Sequence, residues 1–214
     1  MTPDDLALYA LVRLRSLLRS WSYYKYLDSI TLAGSHAKGT DLRDSDVDIF
    51  LRLSADTPGT ISAMQASLAN HVLGNIRNVS VRILLEGRFI DLVPARGKIL
   101  WQARFNTWLK TDIPLQIRYV RDSGLIDEIL ALKIWRRRHA LRFPSFLMEL
   151  AVIHALKPNR PIAQQFTSLL RFLATDFPTT RLLDPANSNN VVSDLLTPVE
   201  KLRIARTAEA SLRA

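Results

Sequence analysis

From Asp46 to Leu53 the chain reads DVDIFLRL, with Val47, Ile49, Leu51 and Leu53 in strict alternation and acids at Asp46 and Asp48. Period-two alternation marks a strand with one face in a core, because successive side chains leave a strand on opposite sides. Asp46 and Asp48 therefore project together, opposite the Val47, Ile49 and Leu51 row. Like charges held side by side repel, and a bound cation is the usual reason to keep them. An exposed strand edge gives the same pattern, so the surrounding residues have to decide.

Two of those surroundings point to phosphate chemistry. Gly34 and Ser35 follow a strand-like run, Ser29 to Ala33, and lie eleven and thirteen residues ahead of the acids when counted from Ser35. A glycine turn lets backbone approach a ligand closely, and serine offers a hydroxyl and a main-chain N–H to phosphate oxygens. A third acid, Asp91, stands inside the apolar run Phe89-Ile90-Asp91-Leu92-Val93. A lone carboxylate there costs several kcal/mol of desolvation unless it is paired or bound to metal. A salt bridge to one of the many arginines is the structural alternative for Asp91. Three carboxylates from two strands are also the set that two-metal phosphoryl transfer requires.

The chain has 214 residues, enough for one sizeable core or for a head with a helical extension. It has no cysteine, which excludes disulfides and thiolate ligands and leaves oxygen or imidazole to hold any metal. Mg²⁺ or Mn²⁺ fits that donor set best. No apolar run approaches the roughly 20 residues of a membrane span, and acids occupy the start where a signal peptide is basic, so a cytoplasmic protein with no membrane partner is expected. Lys plus Arg exceed Asp plus Glu by 29 to 20, a formal charge of +9. Such a surplus commonly accompanies phosphate-rich partners, and also serves solubility alone.

Along the chain, Thr2, Pro3, Asp4 and Asp5 read as a helix start, with Leu6, Tyr9, Val12 and Leu17 at helical spacing to about Trp21. Thr57 and Pro58 read as the cap of a helix reaching about Leu73. Asn78 to Leu85 and Arg88 to Pro94 read as a hairpin across the two-residue turn Glu86-Gly87. After Trp101 the pattern becomes helical over Pro114 to Asp122, Leu125 to about Ala140, Pro144 to Ala155 and Pro161 to Thr175. Asp184 to Asn190 reads as a polar loop, and Thr197, Pro198 and Glu200 open the last helix with a capping box. The expected fold is α/β (α+β): a mixed-sheet head in residues 1–110, including the N-terminal helix, and a helical domain in 111–214.

The GS turn, the SDVDIFL strand and the IDLVPA strand resemble the DNA polymerase beta-like nucleotidyltransferases. The similarity is to the branch with archaeal-type CCA-adding enzymes, oligoadenylate synthetases and bacterial cyclic-oligonucleotide synthases. QIRYV, ALKIWRRR, PSFLMELAVIHAL and DPANSNNVV resemble the helical part of that branch. The resemblance implies transfer of a nucleoside monophosphate from a triphosphate to a hydroxyl, with the site in the cleft between head and helices. It assigns Gly34 and Ser35 to the β and γ phosphates, Asp46 and Asp48 to both metals, and Asp91 to the metal that activates the acceptor. Lys133 would bind the triphosphate. The apolar stripe Ile126, Ile129, Leu130 and Ile134 surrounds Lys133 and Arg137, and a cation there wants an anion or snorkels to solvent. Ser145 resembles a phosphate- or ribose-contacting serine, and helix capping suits it equally. Gln116 replaces the histidine, and Phe146 the tyrosine, of the archaeal-type CCA enzymes, so triphosphate contacts differ. The implied partners are a nucleoside triphosphate and an RNA 3′ end or nucleotide acceptor. A catalytically inactive nucleotide-binding module is the third class, disfavoured by the intact acids. The four histidines have no metal-ligand spacing, and Arg136 to Arg138 form a charge run at a helix end.

Overall fold

A computed structural model of the protein describes residues 3–213. The chain divides after Ile113 into two compact units. In the first, α1 (Pro3–Leu18) precedes β1 (Leu27–Ala33), α2 (Gly34–Lys38), β2 (Val47–Leu53) and α3 (Ile61–Val72). Strands β3 (Asn75–Ile76), β4 (Val81–Leu85), β5 (Arg88–Arg96), β6 (Ile99–Gln102) and β7 (Thr107–Lys110) complete it. The sheet runs β1-β2-β5-β4-β3, with β6 on β5 and β7 on β6. Among the described residues only the β2–β5 pairing is parallel, so the sheet is mixed as expected. The alternation of β2 has its predicted consequence: Val47, Ile49, Leu51 and Leu53 are fully buried and pack with Ile90 and Leu92 against Leu14, Leu18 and Leu68.

The Glu86-Gly87 hairpin forms as read. Both residues have positive φ, 50° and 75°, the conformation that matches the twist of the flanking strands. Other boundaries moved. The expected cap Thr2 lies outside the described residues. Helix α1 stops at Leu18, and Trp21 turns into the core, donating from Nε1 to Ser67 Oγ at 3.1 Å. Helix α3 starts at Ile61 rather than after Thr57, because Gly59 sits at φ 85° and cannot continue a helix. Thr60 is the cap, its Oγ1 accepting from the Ala63 N–H at 3.1 Å. The β6–β7 hairpin, absent from the sequence expectation, pairs Trp101 with Trp108.

The second unit is helical: α4 (Ile113–Arg121, whose first residue closes the first unit), α5 (Ile126–Arg138), α6 (Ser145–Ala155), α7 (Ile162–Thr175) and α8 (Pro198–Arg213). Ile129, Leu132, Leu147, Met148, Leu169, Leu173 and Phe177 form its core. The DPANSNN segment is a small hairpin, β8 (Leu183–Asp184) with β9 (Asn187–Val191), rather than a loop. Its polar composition hides the strands because Asp184, 2% exposed, is satisfied by amides instead of by apolar packing. The capping box of α8 forms: the Glu200 N–H donates to Thr197 Oγ1 at 3.3 Å and the Thr197 N–H to Glu200 Oε2 at 2.8 Å. Among the described residues no helix is long and apolar enough to cross a membrane.

Candidate active site: a row of acids across the sheet

Strand register assembles the acids. Ala33 on β1 stands opposite Asp48 on β2, Asp48 beside Asp91 on β5, and Asp91 opposite Arg82 on β4. These four residues form one lateral row, and residues so aligned share a face of the sheet. Asp46 precedes β2 by one residue, delivered by a tight turn in which the Ser45 N–H donates to Leu42 O at 2.8 Å and Ser45 Oγ accepts from the Leu42 N–H at 2.9 Å. The structure thus brings Asp46, Asp48 and Asp91 together from two strands, as the sequence pattern implied.

The turn after β1 presses on this row. Gly34 begins α2 with φ 59°, and a Cβ built on it would lie 1.8 Å from Asp48 Oδ2. Only glycine leaves that space for the carboxylate. Ser35 follows in the first turn of α2, whose end is closed by Gly39 at φ 72°. Lys38, almost fully buried on the same short helix, adds a cation whose field reaches Asp48.

Charge in the row is unevenly balanced. Arg82 Nη2 donates to Asp46 Oδ2 and to Asp91 Oδ2, each at 2.5 Å, and its Nε donates to Asp91 Oδ1 at 3.1 Å. Ser80 Oγ adds a donor to Asp91 Oδ1 at 3.1 Å. These bonds to carboxylates, that to Asp91 foremost, raise the guanidinium further above its ordinary pKa. Asp48 receives none of the Arg82 bonds. Its pKa is pushed up from 3.8 to about 6, first by burial and then by the charges of Asp91 and Asp46, with Lys38 and Arg82 only partly offsetting them.

Carboxylates suit a hard divalent cation, and here Asp48 and Asp91 are aligned with Asp46 beside them, Asp48 being destabilised as an anion by burial and then by its neighbours. In the conformation shown, the oxygens of Asp46 and Asp91 turn toward Arg82, and among the described residues no three acids or histidines converge on one point. Asp91 has the arginine partner of the structural alternative and also stands beside Asp48.

Arg82 and Lys38 were missing from the sequence expectation. A signal for Arg82 was present: the two-residue turn sets Leu85 opposite Arg88, and counting outward sets Arg82 opposite Asp91. Lys38 gave no comparable signal, since its burial depends on how α2 packs.

The candidates of the second unit are dispersed over its helices. Gln116 on α4 donates from Nε2 to both oxygens of Asp184, at 3.1 and 2.9 Å. Lys133 is 3% exposed and donates to the buried Glu149 at 3.2 Å, so the anion its position demanded is supplied within the core. The stripe on α5 is corrected: Ile134 is 45% exposed, and the buried line is Leu125, Ile129 and Leu132. Arg137 is exposed at the end of α5. Ser145 does not cap α6 and instead accepts from Arg136 Nη1 at 3.2 Å.

Comparison with known proteins agrees with this geometry. A family model described as nucleotidyltransferase domain matches residues 14–111. The CCA-adding enzyme of Picrophilus torridus is 28% identical over 196 residues, covering 84% of this chain and 43% of that enzyme, so the chain spans under half of its relative's length. Among solved structures, the CD-NTase CdnG of Bradyrhizobium diazoefficiens in complex with GTP superposes with a TM-score of 0.83 at 12% identity, over 100% of this chain and 87% of that one. A cytoplasmic RNA terminal U-transferase superposes at 0.67 with 15% identity, over 98% and 87%. At these identities the superpositions establish the fold alone. The fold and the acid row agree with the similarity of residues 14–111 to the nucleotidyltransferase domain.

Proposed function

We propose that the protein transfers a nucleoside monophosphate from a nucleoside triphosphate to the 3′ hydroxyl of an RNA, releasing pyrophosphate. The observation that carries this reading is the lateral row in which Asp48 and Asp91 stand side by side, with Asp46 two residues away and Gly34 packed against Asp48. Asp46, Asp48 and Asp91 would hold Mg²⁺ or Mn²⁺, which neutralises triphosphate charge and lowers the pKa of the attacking hydroxyl. Gly34 and Ser35 bring main-chain N–H groups and a hydroxyl to the β and γ phosphates. Asp91 orients the acceptor hydroxyl and receives its proton, which passes on to solvent. The oxygen then bonds to the α phosphorus in line as the bond to the bridging oxygen breaks. Gln116, Arg137 and Ser145 are the nucleotide contacts proposed for the second unit, whereas Lys133, expected to bind the triphosphate, is held by Glu149 in the core.

An RNA acceptor is supported by the sequence likeness to a CCA-adding enzyme and by the net charge of +9. A synthase of short or cyclic oligonucleotides is the second reading, favoured by the TM-score of 0.83 to a CD-NTase over the whole chain. Incubation of the protein with Mn²⁺ and each α-labelled triphosphate, with and without tRNA, separates them. Label in extended RNA supports the first reading. Label only in small products formed without RNA overturns it in favour of the second.

A further inference from the structure

We propose that Arg82 is a displaceable counter-ion of the acid site. It holds Asp46 and Asp91 when no divalent cation is present and must let them go when one enters, so competition with Arg82 sets the cation affinity. This rests on the reading that the three acids hold a divalent cation, and three observations carry it further.

The first is which oxygens are used. Arg82 Nη2 bonds Oδ2 of both Asp46 and Asp91, and Nε takes Oδ1 of Asp91, so the fork covers both oxygens of one acid and spans to the other. A planar guanidinium suits that bidentate task. A divalent cation drawing on the same oxygens would sit close to a fixed positive charge, and the two repel. The second observation is exposure. The Arg82 side chain is 22% exposed at the sheet face, unlike the Lys133–Glu149 pair, whose side chains are 3% and 2% exposed. A core pair has nowhere to go, whereas Arg82 borders solvent. The third is a contact that does not depend on the acids and is already made while Arg82 holds them. The guanidinium lies 5.2 Å from the centre of the Phe89 ring, and Phe89 and Leu84 on the same hairpin are exposed. An aromatic face retains a cation while freeing its hydrogen bonds.

The test reads metal binding and folding rather than turnover. Mn²⁺ affinity is measured by calorimetry for the natural protein, Arg82→Gln and Asp48→Asn, and each is melted in denaturant with EDTA. Arg82→Gln is expected to bind Mn²⁺ at least about threefold more tightly, because a competing charge is gone, and to be less stable in EDTA, because the acids lose their partner. Asp48→Asn is expected to bind Mn²⁺ more weakly than the natural protein. Unchanged or weaker Mn²⁺ binding by folded Arg82→Gln, with binding by the natural protein intact, overturns the role of Arg82 and leaves the metal reading standing. Failure of both proteins to bind Mn²⁺ removes the metal reading and the inference with it. Should Arg82→Gln not fold, the Arg82 Nε–H resonance of the natural protein decides across a Mg²⁺ titration. A shift that saturates with Mg²⁺ supports displacement, and a resonance unmoved at saturation overturns it.

Discussion

At Gly34 the backbone turns with φ 59° into a space that Asp48 fills from the other side. Gly34→Ala meets two penalties, the left-handed conformation at about 1–2 kcal/mol and a Cβ on the Asp48 carboxylate. Chemical denaturation should show a loss above about 2 kcal/mol, and an unchanged midpoint would refute the close approach. Asp48 behaves oppositely. Its folded pKa of about 6 exceeds the unfolded 3.8, owing to burial, Asp91 and Asp46 against the lesser pull of Lys38 and Arg82. The native state therefore takes up a proton before the unfolded chain does, and the metal-free protein gains stability from this group as pH falls from about 6 toward 4. Asp48→Asn leaves the Arg82 bonds to Asp46 and Asp91 in place while removing the repulsion. In EDTA at pH 7 it should melt later, by on the order of 2 kcal/mol, and show a flatter pH profile. A destabilised variant would mean that Asp48 serves a structural ion pair. The acids were legible because a strand's two-residue period fixes which side chains share a face. The partner of Asp91 followed from the hairpin turn only when the register was counted through to Arg82.

Elements differ in how openly their sequence declares them. Strand β2 and the hairpin turn at Glu86-Gly87 follow from local rules, and so does the start of α8, where Thr197 and Glu200 exchange hydrogen bonds. The β8–β9 hairpin and the inward line of α5 depend on tertiary partners: Gln116 and Asn190 satisfy Asp184, and Glu149 draws Lys133 inward. That last pair yields an element-scale prediction. Lys133→Met removes the cation from buried Glu149 and should cost about 3 kcal/mol. The double change Lys133→Met with Glu149→Leu should recover most of the loss, since apolar replacement of a buried pair is often neutral. If Lys133 instead serves the triphosphate, Lys133→Met would leave the denaturation midpoint unchanged and raise the triphosphate KM. Melts and KM values on the same preparations decide between these outcomes.

On the scale of the whole molecule, the division after Ile113 separates a sheet-based unit carrying the acid row from a helical one carrying the remaining nucleotide-binding candidates. The transition from strand periodicity to helical periodicity was visible along the chain. The later hairpins were not, because β6–β7 and β8–β9 are short and bounded by polar or aromatic residues rather than by an apolar alternation. Asp46, Asp48 and Asp91 are proposed to form a cation-dependent nucleotidyl-transfer site. Its most direct measurement is release of labelled pyrophosphate from a γ-labelled triphosphate, with Mn²⁺ and with EDTA, by the natural protein and by Asp48→Asn. Release by the natural protein with Mn²⁺ is expected, abolished by EDTA and reduced at least about a hundredfold in Asp48→Asn. Release by Asp48→Asn at the natural rate, or by the natural protein in EDTA, would contradict it.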